Sequence, residues 1–406
     1  MSFSISLSGI NAASANLNAT ANNIANVNTT GFKESRAEFA DVFSSSGYGL
    51  SATSSGSGVS VSTVSQQFTQ GDISDTGRSL DLAVSGEGFF TLTMNGTKVY
   101  SRAGNFQTDA NGYVMNPQGA RLQVYQPNAD GTGFDVGQLT DLRLLTTDSA
   151  PLPTTKLELA VTLPANAAVP TVTPFDPADS NTYAASSGGL SVYDSLGVGH
   201  TQSSYFVKTA NPNEWQVYNY IDGVAAGAPT TLQFSSSGAL LSPTGDITLD
   251  PHTPTTGAAP MQMTLSLAGS TQYGEKFSLR NTTQDGYASG KLSDINFSED
   301  GVVYARYSNG VSSALGQVAL TRFNNNQGLK NLGDNLFGES YTSGSPRTGA
   351  PTTSDFGQIQ SGALESSTVD LTEQLVNMIT AQRNFQANAQ MLSTQNDITQ
   401  AIINIR

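Results

Sequence analysis

The chain has 406 residues, enough for two or three cores of ordinary size, and carries 18 basic against 32 acidic side chains for a net charge of −14. That surplus argues against nucleic acid and anionic lipid as partners, since both select a basic face. With no cysteine and only 12% charged residues, disulfides and thiolate metal sites are excluded, and the composition is that of extracellular β-rich or filament-forming proteins.

Residues 1–32 hold no charged side chain, and the first basic residue is Lys33. The basic region of a cleaved secretory signal is therefore missing, and no apolar run reaches the ~18 residues of a membrane span. Phe3, Leu7, Ile10, Ser14, Leu17, Ala21 and Ile24 recur at alternating steps of four and three, which predicts a helix with a heptad seam. Its other faces are rich in Ser, Thr and Asn. Asn costs roughly 0.5–0.7 kcal/mol relative to Ala in a helix, and no ion pairs compensate. Such a helix is expected to fold only against a partner.

Residues 33–70 read as a connecting segment, Gly/Ser-rich and flexible over 44–57. From Val59 to Asn335, short β-rich runs alternate with turn dipeptides such as Asn95-Gly96, Asn111-Gly112, Asp130-Gly131, Asp222-Gly223 and Asp300-Gly301. Composition changes near 148–153 and 282–283. These shifts predict an inner β domain from residues 71–147 and 284–357, interrupted by an inserted outer β domain over 148–283. Residues 358–364 return the chain to its last element. There Asp370 or Thr368 can cap a helix, with Glu373 at capping-box spacing from Asp370. Leu371, Leu375, Met378, Gln382, Phe385, Ala389 and Leu392 keep the four–three step, and the seam then shifts to Ile398, Ile402 and Ile405. Uninterrupted by Gly or Pro, this segment can span about 60 Å at 1.5 Å per residue. The expected fold is mixed but mainly β. Nested discontinuous domains are carried on an antiparallel coiled-coil pair formed by 1–32 and 365–406.

No chemical constellation emerges. His200 and His252 are far apart without acidic neighbours at ligand spacing, so no metal site or general base is expected. The 128–135 run resembles a calcium loop faintly but lacks its regular acidic order and closing Glu, and reads as a turn. Neither a cofactor nor an enzymatic activity is expected.

The stretch Asn22-Asn23-Ile24-Ala25-Asn26-Val27-Asn28-Thr29-Thr30-Gly31-Phe32-Lys33 closely resembles the signature of the flagellar rod and hook family of axial proteins. So do Thr76–Val84 leading into Gly86-Glu87-Gly88-Phe89-Phe90, the run 104–112, and at the far end 362–371 and 378–385. The resemblance spans nearly the whole chain, and the inserted domain points to the hook branch over the shorter distal-rod branch; an extracellular adhesin is a further alternative. It implies terminal helices at the inner core of a curved tube that acts as a universal joint, with β domains outside. It also implies location outside the cell, after export as an unfolded chain through the flagellar type III apparatus. The partners implied are copies of the chain itself, a distal rod protein, a hook cap protein, a hook-length control protein and a hook–filament junction protein. On this resemblance the seam residues serve self-assembly, and the amide face with Gln386 and Asn388 would line the channel.

Overall fold

The chain, described by a computed structural model over residues 2–42, 56–128, 133–144 and 148–404, divides into two compact units. One comprises 1–146, 294–305 and 312–406; the other comprises 147–293 and 306–311. Most of the expected flexible run 44–57, the Asp130-Gly131 turn, the core of the calcium-like loop and Ile405 lie outside the described residues.

The first unit holds both helices, α1 (Ser2–Ala25) and α2 (Leu371–Asn404). Asp370 caps α2: its Oδ1 accepts from the backbone N–H groups of Thr372 and Glu373 at 2.7 and 3.1 Å, satisfying two donors the first turn leaves unpaired. Thr368 serves elsewhere, accepting from Glu34 N. After α1, strands Ser35–Asp41 and Val59–Gln66 form an antiparallel ribbon whose side chains are mostly exposed.

The rest of this unit is β structure around Arg121–Pro127, flanked by Phe89–Met94 and Ser312–Val318. Phe89–Met94 returns as Thr97–Ser101 through Asn95-Gly96, both with positive φ (51° and 78°). Asn and Gly tolerate that left-handed pair, which gives the turn a twist matching its strands. Leu82, Phe90, Leu92, Phe106, Val114 and Leu122 sit in the core beneath, with Phe90 and Phe106 edge-on at 5.4 Å.

In the second unit, Glu214–Ile221 alternates strictly, turning Trp215, Val217, Asn219 and Ile221 inward. It pairs with Gly199–Lys208 on one side and Thr230–Phe234 on the other. A second sheet centres on Lys156–Pro164, with Ser278–Gln284 antiparallel to it. Leu157, Leu159, Val161 and Leu163 share one core with Phe206, Trp215 and Val217. The indole N–H of Trp215 donates to Gln272 Oε1 at 3.2 Å, so its polar atom is satisfied inside. Bridges Leu152–Tyr287 and Ser149–Gly290 carry the pairing past residue 283, the boundary that composition suggested for the insert.

The histidine reading needs correction. His200 and His252, distant in sequence, come together with ring centroids 6.0 Å apart, and His200 lies between Asp194 and Asp222. Strand pairing did this: Gly199–Lys208 and the His252–Met261 bridge meet at the Asp222 turn. Burial works against the charged ring of His200, yet hydrogen bonds to Asp222 and Asp194 outweigh it and hold the group above the ordinary histidine range.

Candidate functional site

α1 and α2 pack along each other in antiparallel register. Asn23 Nδ2 donates to Gln374 Oε1 at 3.2 Å near one end, and Gly9 faces Asn388 fourteen residues further along each helix. Gly9 and Asn23 meet α2, and the buried residues Ser6, Ala13 and Thr20 lie on the same face of α1, continuing a four–three series. On α2 the inward stripe runs through Gln374, Met378, Ala381, Asn388 and Leu392. A Cβ at Gly9 would stand 2.5 Å from Asn388 Oδ1, so the missing side chain lets the helices approach.

The expected seam is thus displaced within the pair. On α1 the packed stripe lies one residue before the apolar one, a turn of about 100°. Phe3 and Leu7 remain 49% and 43% exposed, while Ile10, Leu17 and Ile24 are half-buried. On α2, Met378 and Leu392 face partly inward, but Leu371 and Leu375 are each 45% exposed, Phe385 and Ile398 are exposed, and the Ile402 side chain lies outside the described residues. Small residues win the intramolecular contact because close approach needs a flat surface, and the bulky stripe is left on the flank. Of the two residues of the expected channel face, Asn388 is half-buried against Gly9, whereas Gln386 is exposed.

The helix pair is tied to the β structure at 22–35. α1 ends when Asn26 N donates to Asn22 O and Asn23 O, and the Asn26 amide donates to Asn22 O. Asn23 is buried and joins three segments: its Nδ2 donates to Ser35 O at 2.8 Å as well as to Gln374, and its Oδ1 accepts from Ser35 N at 2.9 Å. Gly31 has φ +67°, and a Cβ there would lie 2.6 Å from Ala103 N. Gly31→Ala is therefore expected to cost about 1–3 kcal/mol in urea unfolding. Gly119→Ala, also at positive φ but facing open space, should cost less. Phe32 is buried beside Gly31, while Asn22 and Ala25 are exposed and Ile24 and Asn26 half-buried.

Lys33 ends the motif inside an ion cluster. Its Nζ donates to Glu365 Oε1 and Thr69 O, both at 2.6 Å; Gly71 N donates to the same Oε1 at 2.8 Å. Arg102 Nη1 reaches the other oxygen, Oε2, at 3.4 Å, while its Nη2 donates to Gly86 O at 2.8 Å. Lys33, Arg102 and Glu365 are 3%, 4% and 0% exposed. Burial draws the Lys33 ammonium below the ordinary lysine range and the Arg102 guanidinium below its own, with Glu365 opposing both shifts. One carboxylate thus fastens three distant segments. Sequence reading singled out Lys33 and Glu365 only as parts of the two terminal motifs and missed Arg102. The available signal was scarcity, since Lys33 is the first charge after thirty-two uncharged residues.

These segments coincide with matches to known proteins. Residues 3–33 match the family described as Flagella basal body rod protein, and 360–405 match Flagellar basal body rod FlgEFG protein C-terminal. Residues 83–174 match Flagellar hook protein FlgE/F/G D1 domain, and 162–287 match Flagellar basal body protein FlaE D2 domain. Over 421 residues the chain is 40% identical to the flagellar hook protein FlgE of Escherichia coli strain K12, with 100% of both chains covered. The chain belongs to the flagellar hook protein family. The hook protein FlgE of Borreliella burgdorferi is 33% identical with 98% of each chain covered. A crystal structure of Helicobacter pylori hook protein FlgE2, 17% identical, covers 72% of this chain and 100% of that one at a TM-score of 0.52, which shows a shared fold. As a member of the hook family the chain is a structural subunit of the flagellar hook, and the distal-rod alternative is not favoured. Its helix pair is then the natural place to look for contacts between copies.

Proposed function

We propose that the hook subunit polymerises through the exposed apolar flank of its helix pair, and that the resulting curved tube serves as a universal joint carrying motor torque from rod to filament. The observation that carries this reading is the unpartnered row Leu371, Leu375 and Ile379, at 45%, 45% and 50% exposure on a helix whose inward stripe is already filled. Apolar surface left in water at four-residue spacing along one helix calls for a second helix. Phe3 and Leu7 on α1, and Phe39, Val61 and Val64 on the ribbon after it, are exposed apolar residues of the same unit.

The chain acts by assembly and not by catalysis. It works outside the cell, having left unfolded through the flagellar type III apparatus. The uncharged, Asn-rich α1 supports this, because it is a poor helix until it docks. Copies of itself are the main partner, with the distal rod, cap, length-control and junction proteins at the ends and during growth. Gln386 faces the channel, where an uncharged amide offers little to hold a passing polypeptide. The domain division is 1–32 with 365–406 as axial core, 33–70 with 358–364 as connection, and the two β domains outside.

Removing residues 2–25 tests the reading. The truncated chain is expected to stay monomeric in electron micrographs at concentrations where the intact chain forms tubes, with the second unit's melting transition unchanged. Tubes of normal order from the truncated chain would overturn it.

A further inference from the structure

Of 406 residues only two are histidines, and the second unit brings both to one turn. His200 stands at the start of Gly199–Lys208, and its Nδ1 lies 2.5 Å from Asp222 Oδ2. His252 approaches the same oxygen from another segment, its Nε2 at 3.9 Å. The three donor atoms lie within 4.8 Å of one another. We propose that His200, Asp222 and His252 form a binding site for a divalent transition-metal ion of the Zn²⁺ or Ni²⁺ class.

Two imidazoles and one carboxylate suit such ions, whereas Ca²⁺ and Mg²⁺ seek shells of oxygen. Metal bonds of about 2.0–2.1 Å at tetrahedral angles set neighbouring donors roughly 3.3 Å apart. The Asp222–His200 distance of 2.5 Å must therefore open and the Asp222–His252 distance of 3.9 Å must close. One small displacement of the Asp222 carboxylate from His200 toward His252 does both, and the two imidazole nitrogens, within 4.8 Å of each other, must also draw together. Asp222 has room for this displacement, being 40% exposed in its side chain at a turn with Gly223, and it can pivot about the oxygen that Thr201 N holds.

The surrounding groups are already placed. Asp194, fully buried, faces His200 Nε2 at 3.3 Å and thereby leaves Nδ1 as the metal-binding nitrogen. That carboxylate is itself fixed by Leu196 N and Val198 N on one oxygen and by Thr256 Oγ1 on the other, at 2.9, 2.8 and 3.0 Å. Thr201 N donates to the Asp222 oxygen that does not face the histidines. A carboxylate behind a metal-binding histidine is the usual means of fixing its tautomer and orientation. A water completes the shell. The ion would tie the end of the Gly199–Lys208 and Glu214–Ile221 hairpin to the segment around His252, cross-linking the unit where a chain without cysteine has no covalent means.

The test is calorimetric titration of the chelator-treated, monomeric full chain with Zn²⁺, and separately with Mg²⁺, alongside thermal melts. One equivalent of Zn²⁺ is expected to bind and to raise the second unit's melting temperature, while Mg²⁺ gives neither response. His252→Ala should weaken Zn²⁺ at least 100-fold; because the side chain is only 14% exposed, the variant's own metal-free melt is the reference for its response to Zn²⁺. Asp194→Asn, a positioning residue, should weaken it about 10–100-fold. A Zn²⁺ titration without saturable heat, or Zn²⁺ affinity retained in His252→Ala, would overturn the site and leave the cluster a proton-bridged pair.

Discussion

Glu365→Gln is expected to destabilise the helix-bearing unit by about 3–5 kcal/mol, because it leaves two buried cations without their anion. For a unit of this size that corresponds to a fall of roughly 6–20 °C in melting temperature. The substitution keeps the volume and an acceptor for Gly71 N, so the loss reports charge and not packing. Lys33→Met alone should cost less, since Arg102 and Glu365 remain as a pair. The double variant Lys33→Met/Glu365→Gln should be more stable than the sum of the single effects predicts, with a coupling of about 1–3 kcal/mol. Denaturant unfolding of the four proteins measures this, and a Glu365→Gln melting point within 2 °C of the parent would remove the cluster from its role as anchor. The anchor matters for function because it fixes where the helix pair leaves the β structure: Gly31 N donates to Glu365 O, and Thr368 N to Phe32 O, in the same few residues.

How far the sequence reveals this arrangement depends on the residue. The Asn95-Gly96 turn and the Asp370 cap are local, set by the φ preference of two residues and by one side chain reaching its own helix, so they can be read directly. The facing stripe of α1 is not local. Heptad spacing fits both Phe3–Leu7–Ile10 and Ser6–Gly9–Ala13, and apolarity favours the first. Helix–helix distance decides for the second, and that distance depends on Gly9 meeting Asn388, a residue near the other end of the chain. The ion cluster and the histidine pair escape for the same reason. Lys33, Arg102 and Glu365, like His200 and His252, are brought together only by tertiary pairing, and none carries a spacing that announces its partner.

The displaced stripe leads to the second large effect. Leu371→Ser, Leu375→Ser and Ile379→Ser combined should cost the monomer about 1.5 kcal/mol, at about 0.5 kcal/mol for each such exposed position. Between copies the cost is different. Each side chain has about half its surface still to bury, worth roughly 1 kcal/mol or more at 25 cal/mol per Å². A loss of about 3–4 kcal/mol per contact raises the concentration needed for polymerisation by two to three orders of magnitude. By contrast, Gly9→Val acts within the pair by pressing on Asn388, and should lower monomer stability before it touches assembly.

In the proposed function the packed stripe holds the subunit together while the apolar flank joins it to its neighbours. Sedimentation and electron microscopy of the Leu371→Ser/Leu375→Ser/Ile379→Ser variant, beside its thermal melt, test that division most directly. Melting within a few degrees of the parent is expected, with tubes absent at concentrations where the parent polymerises. Tubes at the parent's own threshold, with the monomer equally stable, would contradict it.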